Sequence, residues 1–487
     1  MSLAKRTVTS VTWKVVANAA SAMMLFARSI LLARWLPVDV FGVYALALSI
    51  TKLSVILADF GMSGALVHRA AETEDEDQAA AVQFTFRASF TLIWGILLFA
   101  GTLLLTDPSS QLRTAMLLLT LTTALLQLPS TPSLILLRRV QQRRDAIILL
   151  LNTVVSTLVM LGLAWNGAKL WALLAGDCVA VVVKLMMLYG WRPIWKPRFV
   201  WNPEVMRYFL DFGRRNFLNA ILYQALDRID DIWVGIFLGE TATGFYSKAY
   251  SFATYPRKVL AVPVNWVIGG AYAELKHDRK RLSQMFRIVN SILIRSGFLL
   301  AGLLALIAPE FIRLLLGEKW LPMLNAFRFM LVFTLFDPIK ITISSAIALA
   351  GGKPEWVLGA RTAQLVLMLV GLFAVGPSRG IVGVAIVVDV MLVVGIGILL
   401  WQARSFVDFS LVKLFGVPTV ALLAGGILSV YVSRNIEFIA SDWQSGLLKS
   451  VIFLCTYGIV SLIGEFSQFV EGTRKMVCFL KTSEVQL

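Results

Sequence analysis

The sequence predicts an all-α, multi-pass membrane protein of about fourteen transmembrane helices. Three observations carry that prediction. Hydrophobic residues make up 58% of the 487 residues and charged residues only 15%, where a soluble domain carries about 25% charged residues. The mean hydropathy is +0.77. Apolar runs long enough to cross a bilayer recur along the chain, separated by short polar punctuation, and no loop could hold a separate soluble domain. Such a composition excludes a soluble enzyme, a disordered chain and a fibrous protein. The net charge of +16 does not point to nucleic acid, because a polytopic chain leaves no domain free to bind it; excess Lys and Arg in cytoplasmic loops accounts for it.

The apolar runs fall at about 10–35, 41–67, 81–105, 112–137, 145–165, 169–190, 211–238, 245–270, 287–308, 321–350, 355–375, 380–401, 412–432 and 446–465. The first follows a basic start and reads as a retained helix rather than a cleaved signal. The stretch 191–208, with Trp191, Trp195 and Trp201 interleaved with Arg192, Lys196 and Arg198, suits a linker at headgroup level. The stretch 466–480 is expected to lie flat in the interface. The acidic run Glu72, Glu74, Asp75, Glu76 and Asp77 reads as a solvated turn. Pro256, Pro263 and Pro338 predict kinks in their spans.

Orientation follows from loop charge. With the N-terminus cytoplasmic, one side holds Lys5, Arg6, Lys14, Arg138, Arg139, Arg143, Arg144, Arg192, Lys196, Lys276, Arg279, Lys280, Arg281, Arg474 and Lys475 among others. The other side holds Arg34, Arg113, Lys169, Arg313, Lys319, Arg379 and Arg434. The bias is about threefold and places both termini in the cytoplasm. Cys178, Cys455 and Cys478 are far apart, as are His68 and His277, so neither a disulfide framework nor a zinc site is expected.

Residues 30–50 and 232–252 align at one constant offset, with Ile30, Leu36, Gly42, Tyr44, Ala47 and Ser49 matching Ile232, Leu238, Gly244, Tyr246, Ala249 and Ser251. The shared pattern Leu-x5-Gly-x-Tyr-x2-Ala-x-Ser spans the turn between spans 1 and 2 and again between spans 7 and 8. An even number of spans separates the copies, so the repeats are parallel, related by an axis along the membrane normal. The expected organisation is an N-terminal six-helix lobe with its linker (1–200), a second six-helix lobe (201–402), and two further helices with a cytoplasmic tail (403–487). Paired repeats of this kind suggest alternating access. Tyr44 and Tyr246 are expected to anchor at the interface.

Charges at membrane depth cost about 2.5–3.5 kcal/mol each at a helix centre and so need a partner, water or a function. The cations are Arg28, Lys52, Arg228, Arg257, Lys258, Arg295, Arg328 and Lys340; the anions are Asp59, Asp177, Asp227, Asp230, Asp231, Asp337 and Asp389. Asp227, Asp230 and Asp231 share one helix face. Carboxylates so close can hold a proton or Na⁺, or can form a salt-bridge network with Arg28 and Arg257. Asp337 and Lys340, three residues apart, are expected to pair. Asp59 offers Lys52 a partner. Asp177 and Asp389 lack one nearby in sequence.

Several short motifs carry a resemblance: Asp59-Phe60-Gly61 followed by Val67-His68-Arg69, then Leu137-Arg138-Arg139, Phe245-Tyr246-Ser247-Lys248-Ala249-Tyr250, and Leu316-Gly317-Glu318-Lys319-Trp320. With these, the chain resembles the polysaccharide transporter (oligosaccharide flippase) family of the multidrug/oligosaccharidyl-lipid/polysaccharide exporter superfamily. It is most similar there to exporters of colanic-acid-type exopolysaccharide. Relatives often have an aromatic residue where this chain has Gln142-Arg143. The resemblance implies a fourteen-helix fold that flips undecaprenyl-diphosphate-linked oligosaccharide across the bacterial inner membrane. A cationic cavity of Arg28, Lys52, Arg257 and Lys258 would then suit the diphosphate, and Asp227, Asp230 and Asp231 would couple transport to H⁺ or Na⁺. Asp59, Asp337, Lys340 and Asp389 are secondary candidates. No organic cofactor, metal or nucleotide is implied, and no P-loop is present. Candidate partners are membrane lipids, a polysaccharide polymerase and chain-length proteins. A cation-coupled multidrug exporter and a membrane polymerase or ligase are the alternatives; the outer loops are short for the latter, and the midplane cations disfavour the former.

Overall fold

The computed structural model describes residues 3–62, 64–68, 76–139, 141–435 and 441–484. Helices account for nearly all of them, and no strand occurs among the described residues. In chain order they are α1 (Leu3–Trp35), α2 (Val38–Ser54), α3 (Ile56–Asp59), α4 (Ala65–His68), α5 (Glu76–Leu105), α6 (Gln111–Gln127), α7 (Ser130–Arg138), α8 (Gln142–Trp165) and α9 (Lys169–Leu185). Then come α10 (Pro203–Phe237), α11 (Glu240–Glu274), α12 (Arg279–Leu306), α13 (Ala308–Phe311), α14 (Leu324–Met330), α15 (Val332–Ser345), α16 (Pro354–Ala403), α17 (Leu411–Asn435) and α18 (Asp442–Glu484).

Among the described residues, 11 helical segments are long and apolar enough to cross a membrane. One of these, α16, bends at Gly380 (φ 55°, ψ −142°) and so supplies two helices. The charge-bearing α10 and α11, 35 residues each, are also long enough to cross. The set is consistent with the fourteen expected spans, and the chain is a multi-pass membrane protein.

Span boundaries follow local chemistry. The sequence predicts the seventh span from about 211, but α10 begins at Pro203. Asn202 caps it by accepting from the backbone N–H groups of Glu204 and Val205, and proline fits the first helical position. Span 2 breaks at Val55 and again at Phe60, whose φ is 46°. Span 10 is not one rod: a 3₁₀ turn, α14 and α15 succeed each other, followed by a π segment at Ala346–Ala350. The expected kink at Pro338 does not interrupt α15, and Pro256 and Pro263 lie within continuous α11. Residues 466–480 extend α18 in the same helix; their side chains, like the acidic residues 72–75, lie outside those described. Glu76 is no solvated turn residue: it accepts from Arg139 at 2.9 Å, and Arg138 donates to the Leu66 carbonyl. The linker docks through one of its three tryptophans. Trp195 is buried against Phe84, with ring centroids 5.5 Å apart, while Trp191 and Trp201 stay exposed.

Packing gathers the chain into two compact units, residues 1–251 with 361–391 and residues 252–360 with 392–487. This grouping is by packing, whereas the lobes expected from the repeat are defined by topology. In the first unit α1 packs along α8, α8 along α9, and α10 along α2. The second is built on α12 with α15, α17 and α18.

The repeat explains the tightest crossing in the first unit. A Cβ on Gly42 would collide with the Glu240 carbonyl, and one on Gly244 would collide with the Val38 carbonyl. Glu240 is the repeat counterpart of Val38, so the two contacts are related by the repeat itself. Only hydrogen at both positions lets the starts of α2 and α11 touch backbone to backbone. Further along, Leu46 packs over Gly235, and Gly213 meets the Phe60 carbonyl.

In the second unit Glu310 accepts from Lys449 Nζ and Ser445 Oγ. Burial would raise its carboxyl, but these bonds, with a backbone N–H, outweigh that and hold it below the usual carboxylate range.

Two outcomes are expected. Gly42→Leu drives a side chain into fixed backbone and costs about 1–3 kcal/mol or more, whereas Gly95→Ala, with nothing near its Cβ, is neutral or better; thermal melts in detergent compare them. For Glu310, a depressed folded-state value means that its stabilisation is present above the unfolded-state value and is lost as pH falls through the folded one. The melting difference between wild type and Glu310→Gln therefore shrinks on acidification below about pH 4.

Candidate functional site

The α10 segment Asp227-Arg228-Ile229-Asp230-Asp231 lies where α2 and the start of α11 close on α10. Asp230 is 4% exposed and Asp231 5%. A charge so placed must be paired or hydrogen-bonded, and each carboxylate is. Tyr246 Oη donates to Asp230 Oδ2 at 2.6 Å. Ser49 Oγ of α2 donates to Asp231 Oδ2 at 3.0 Å. Tyr250 Oη donates to Asp227 Oδ1 at 3.2 Å. Arg228 reaches Asp227 at 3.1 Å and Asp231 at 3.8 Å. One guanidinium thus serves two of the three carboxylates. Oδ1 of Asp230 and Oδ1 of Asp231 are buried with no hydrogen-bond partner.

The motif Phe245-Tyr246-Ser247-Lys248-Ala249-Tyr250 supplies the donors. Tyr246 and Tyr250, four residues apart, share one helix face and each reaches a carboxylate of α10. The expectation that Tyr246 anchors at the interface is overturned: it is 0% exposed. Gly244, two residues earlier, brings the backbones together, which carries the following turn inward. Tyr44 is likewise no interfacial anchor, for its hydroxyl donates to Asp177 Oδ2 at 2.8 Å. Each repeat tyrosine therefore holds a carboxylate.

Cations gather nearby in the same unit. Lys52 and Arg28 lie within electrostatic reach of Asp177, and Arg28 Nη1 is 3.4 Å from Ser156 Oγ. Lys248 is buried, donates to Ser29 Oγ at 3.1 Å, and sits 3.9 Å from the centre of the Phe41 ring.

Arg228 is an ion-pair partner of Asp227 and Asp231 on α10. Asp59 pairs with Arg87 rather than with Lys52. This ion pair fixes the Asp59-Phe60-Gly61 bend, where Phe60 stacks on Phe90 and meets Phe217. Asp337 and Lys340 lie 3.3 Å apart in the second unit. Asp389 is buried in the first unit with neither carboxylate oxygen hydrogen-bonded. Arg257 and Lys258 belong to α11, but their side chains lie outside those described. Among the described residues no group of three His, Cys, Asp or Glu side chains converges in a metal-holding arrangement. Sequence reading passed over Ser49, Tyr250 and Lys248 as partners. The repeat could have found Ser49, since it belongs to the shared pattern.

A helical membrane protein with a buried charge network across repeated helix starts is a recognisable class. Residues 31–325 match the polysaccharide biosynthesis protein family, and the chain belongs to that family. It is 26% identical over 330 residues to the succinoglycan biosynthesis transport protein ExoT of Rhizobium meliloti (65% of this chain, 64% of that protein). It is 27% identical over 269 residues to the teichuronic acid biosynthesis protein TuaB of Bacillus subtilis (54% of each). The chain thus spans about half to two thirds of these relatives. It is 22% identical over 362 residues to the lipopolysaccharide biosynthesis protein WzxC of Escherichia coli (71% of this chain, 70% of that protein). Its fold resembles the lipid II flippase MurJ in an inward closed conformation, with a TM-score of 0.76, 15% identity, and 94% of this chain and 99% of that one covered. An inward-facing multidrug resistance MATE family transporter superposes less well, with a TM-score of 0.58 and 16% identity over 80% of this chain and 98% of that one.

Removing Arg228 leaves Asp227 and Asp231 without this ion-pair partner. Arg228→Met is expected to destabilise by about 3–5 kcal/mol at neutral pH, and adding Asp227→Asn and Asp231→Asn to restore much of it. Tyr246→Phe strips Asp230 of its donor and costs about 1–3 kcal/mol. Thermal melts of the purified variants check both.

Proposed function

We propose that this chain carries undecaprenyl-diphosphate-linked oligosaccharide repeat units across the bacterial inner membrane, for exopolysaccharide or lipopolysaccharide biosynthesis, by ion-coupled alternating access. The observation that carries this reading is the buried charge cluster of the first unit. Arg28, Lys52 and Lys248 stand within the same bundle as Asp177 and the three α10 carboxylates, a density no lipid-facing bundle tolerates. Family membership and the names of the relatives support a polymer-export role, and the flippase-like fold supports a moving lipid-linked cargo. The reading involves no covalent chemistry.

Arg28 and Lys52 would meet the diphosphate, Arg as a forked donor and Lys as a point charge. Arg257 and Lys258 remain candidates for the same role. Asp227, Asp230 and Asp231 would take up and release the coupling ion. The two unpartnered carboxylate oxygens support this role, because a buried acceptor without a donor is costly unless something else satisfies it. Each carboxylate is held by a separate donor rather than aimed at one shared point, which favours H⁺ over Na⁺. Asp389, buried with both oxygens unpartnered, is the secondary candidate; Asp59, Asp337 and Lys340 act in ion pairs. Residues 1–200 and 201–402 would be the repeated halves that rearrange and 403–487 an appended pair of helices, with both termini cytoplasmic. A polysaccharide polymerase and chain-length proteins would receive the product.

Flipping of a labelled polyprenyl-diphosphate glycan in proteoliposomes tests the reading. Arg28→Ala with Lys52→Ala is expected to reduce the rate by tenfold or more, roughly the effect of 1.4 kcal/mol of lost binding, in protein that still inserts and melts normally. Asp230→Asn with Asp231→Asn is expected to remove the dependence on pH or Na⁺. Undiminished flipping by the first variant contradicts the cationic site, and unchanged ion dependence of the second leaves those carboxylates structural.

A further inference from the structure

The second unit contains a cavity of about 690 Å³ that no step of the proposed transport uses. Arg328, Arg434 and Lys449 line it at one end, with Ser433 and Ser445. Its inner wall is apolar, formed by Gly302, Leu422, Gly426 and Phe453. Glu310 engages Lys449. Arg328 gives Nε to the Ala305 carbonyl at 3.3 Å. The cavity therefore offers more positive than negative charge.

Its depth is set by helix geometry. Arg434 is in the last turn of α17, and Lys449 is seven residues into α18. Exposed Tyr431 lies one turn before Arg434 on α17, and exposed Trp443 lies in the first turn of α18, as aromatic side chains do at headgroup level. From Arg434 to Leu422 is twelve residues of α17, about 18 Å at 1.5 Å per residue. One leaflet of hydrocarbon is about 15 Å deep. Gly426 keeps the slot open, since a Cβ there would meet nothing within 4 Å.

We propose that this cavity holds an anionic phospholipid of one membrane leaflet. Its phosphodiester would lie among Arg328, Arg434 and Lys449, and an acyl chain would run along Leu422, Gly426 and Phe453. Basic pockets between membrane helices suit lipid headgroups on electrostatic grounds. The one-leaflet depth fits a phospholipid chain better than a long polyprenyl chain.

Native mass spectrometry of the full chain, released from detergent with phosphatidylglycerol, tests this. Two variants attack opposite ends of the site: Arg328→Gln with Arg434→Gln removes charge, and Gly426→Leu fills the slot while improving helix propensity. Wild type is expected to retain phosphatidylglycerol. Each variant is expected to retain it at least tenfold less while melting as wild type does without added lipid. Phosphatidylcholine is expected to be retained poorly, and neither glycerol phosphate nor polyprenyl phosphate at equal concentration to displace the bound lipid. Equal retention by both variants overturns the site, and equal retention of phosphatidylcholine overturns its charge selectivity. Displacement by glycerol phosphate would make it a free-anion site, and displacement by polyprenyl phosphate a substrate site; either overturns the assignment. Because the variants lie outside the charge cluster of the first unit, failure of the transport reading leaves this result standing.

Discussion

The first unit depends on one close approach, the contact of α2 with α11 at Gly42 and Gly244. Each glycine faces a carbonyl of the opposite helix start, and the repeat relates one contact to the other. Side chains cannot enter such a crossing, so the residues just beyond it are forced inward. Those residues include Tyr44, Tyr246 and Lys248. Their polar ends then sit in a low-dielectric interior, where each must be satisfied. Asp177, Asp230 and Ser29 satisfy them. The buried polar network is thus a consequence of the glycine crossing as much as of the charges themselves.

The network is held but not saturated. Asp227 and Asp231 share one guanidinium, and one oxygen each of Asp230 and Asp231 has no donor. A wholly satisfied network would rigidify the bundle, and a wholly unsatisfied one would not fold. An intermediate arrangement suits a protein that changes the occupancy of its carboxylates. Donors from α2 and α11 converge on α10, so a shift of either helix alters what the carboxylates can hold. This is the physical link between helix movement and ion binding on which the proposed coupling rests.

Much of the fold was legible in the sequence. The apolar runs gave the multi-pass helical class because their length matches a bilayer. The repeat located the joint at which α2 and α11 meet, and Asp337 with Lys340 is a local pair that helical spacing alone predicts. Breaks in spans 2 and 10 were not legible, for they depend on Phe60 entering a left-handed turn and on π and 3₁₀ segments that hydropathy does not encode. Nor were the partners of the buried charges. Arg87 meets Asp59 and Tyr44 meets Asp177 across helices far apart in sequence, and burial inverted the role expected of aromatic residues near span ends. The docking of Trp195 was not legible either, since an amphipathic ring serves equally at an interface and in a docked linker.

On the proposed coupling, the α10 carboxylates exchange their ion when cargo moves. The most direct measurement of that exchange is ion flux itself: proteoliposomes loaded with a trapped pH or Na⁺ reporter, given lipid-linked glycan on one side only. Wild type is expected to show a substrate-triggered flux that vanishes when Asp230 and Asp231 are both asparagine. A flux of wild-type size from that variant would contradict the coupling.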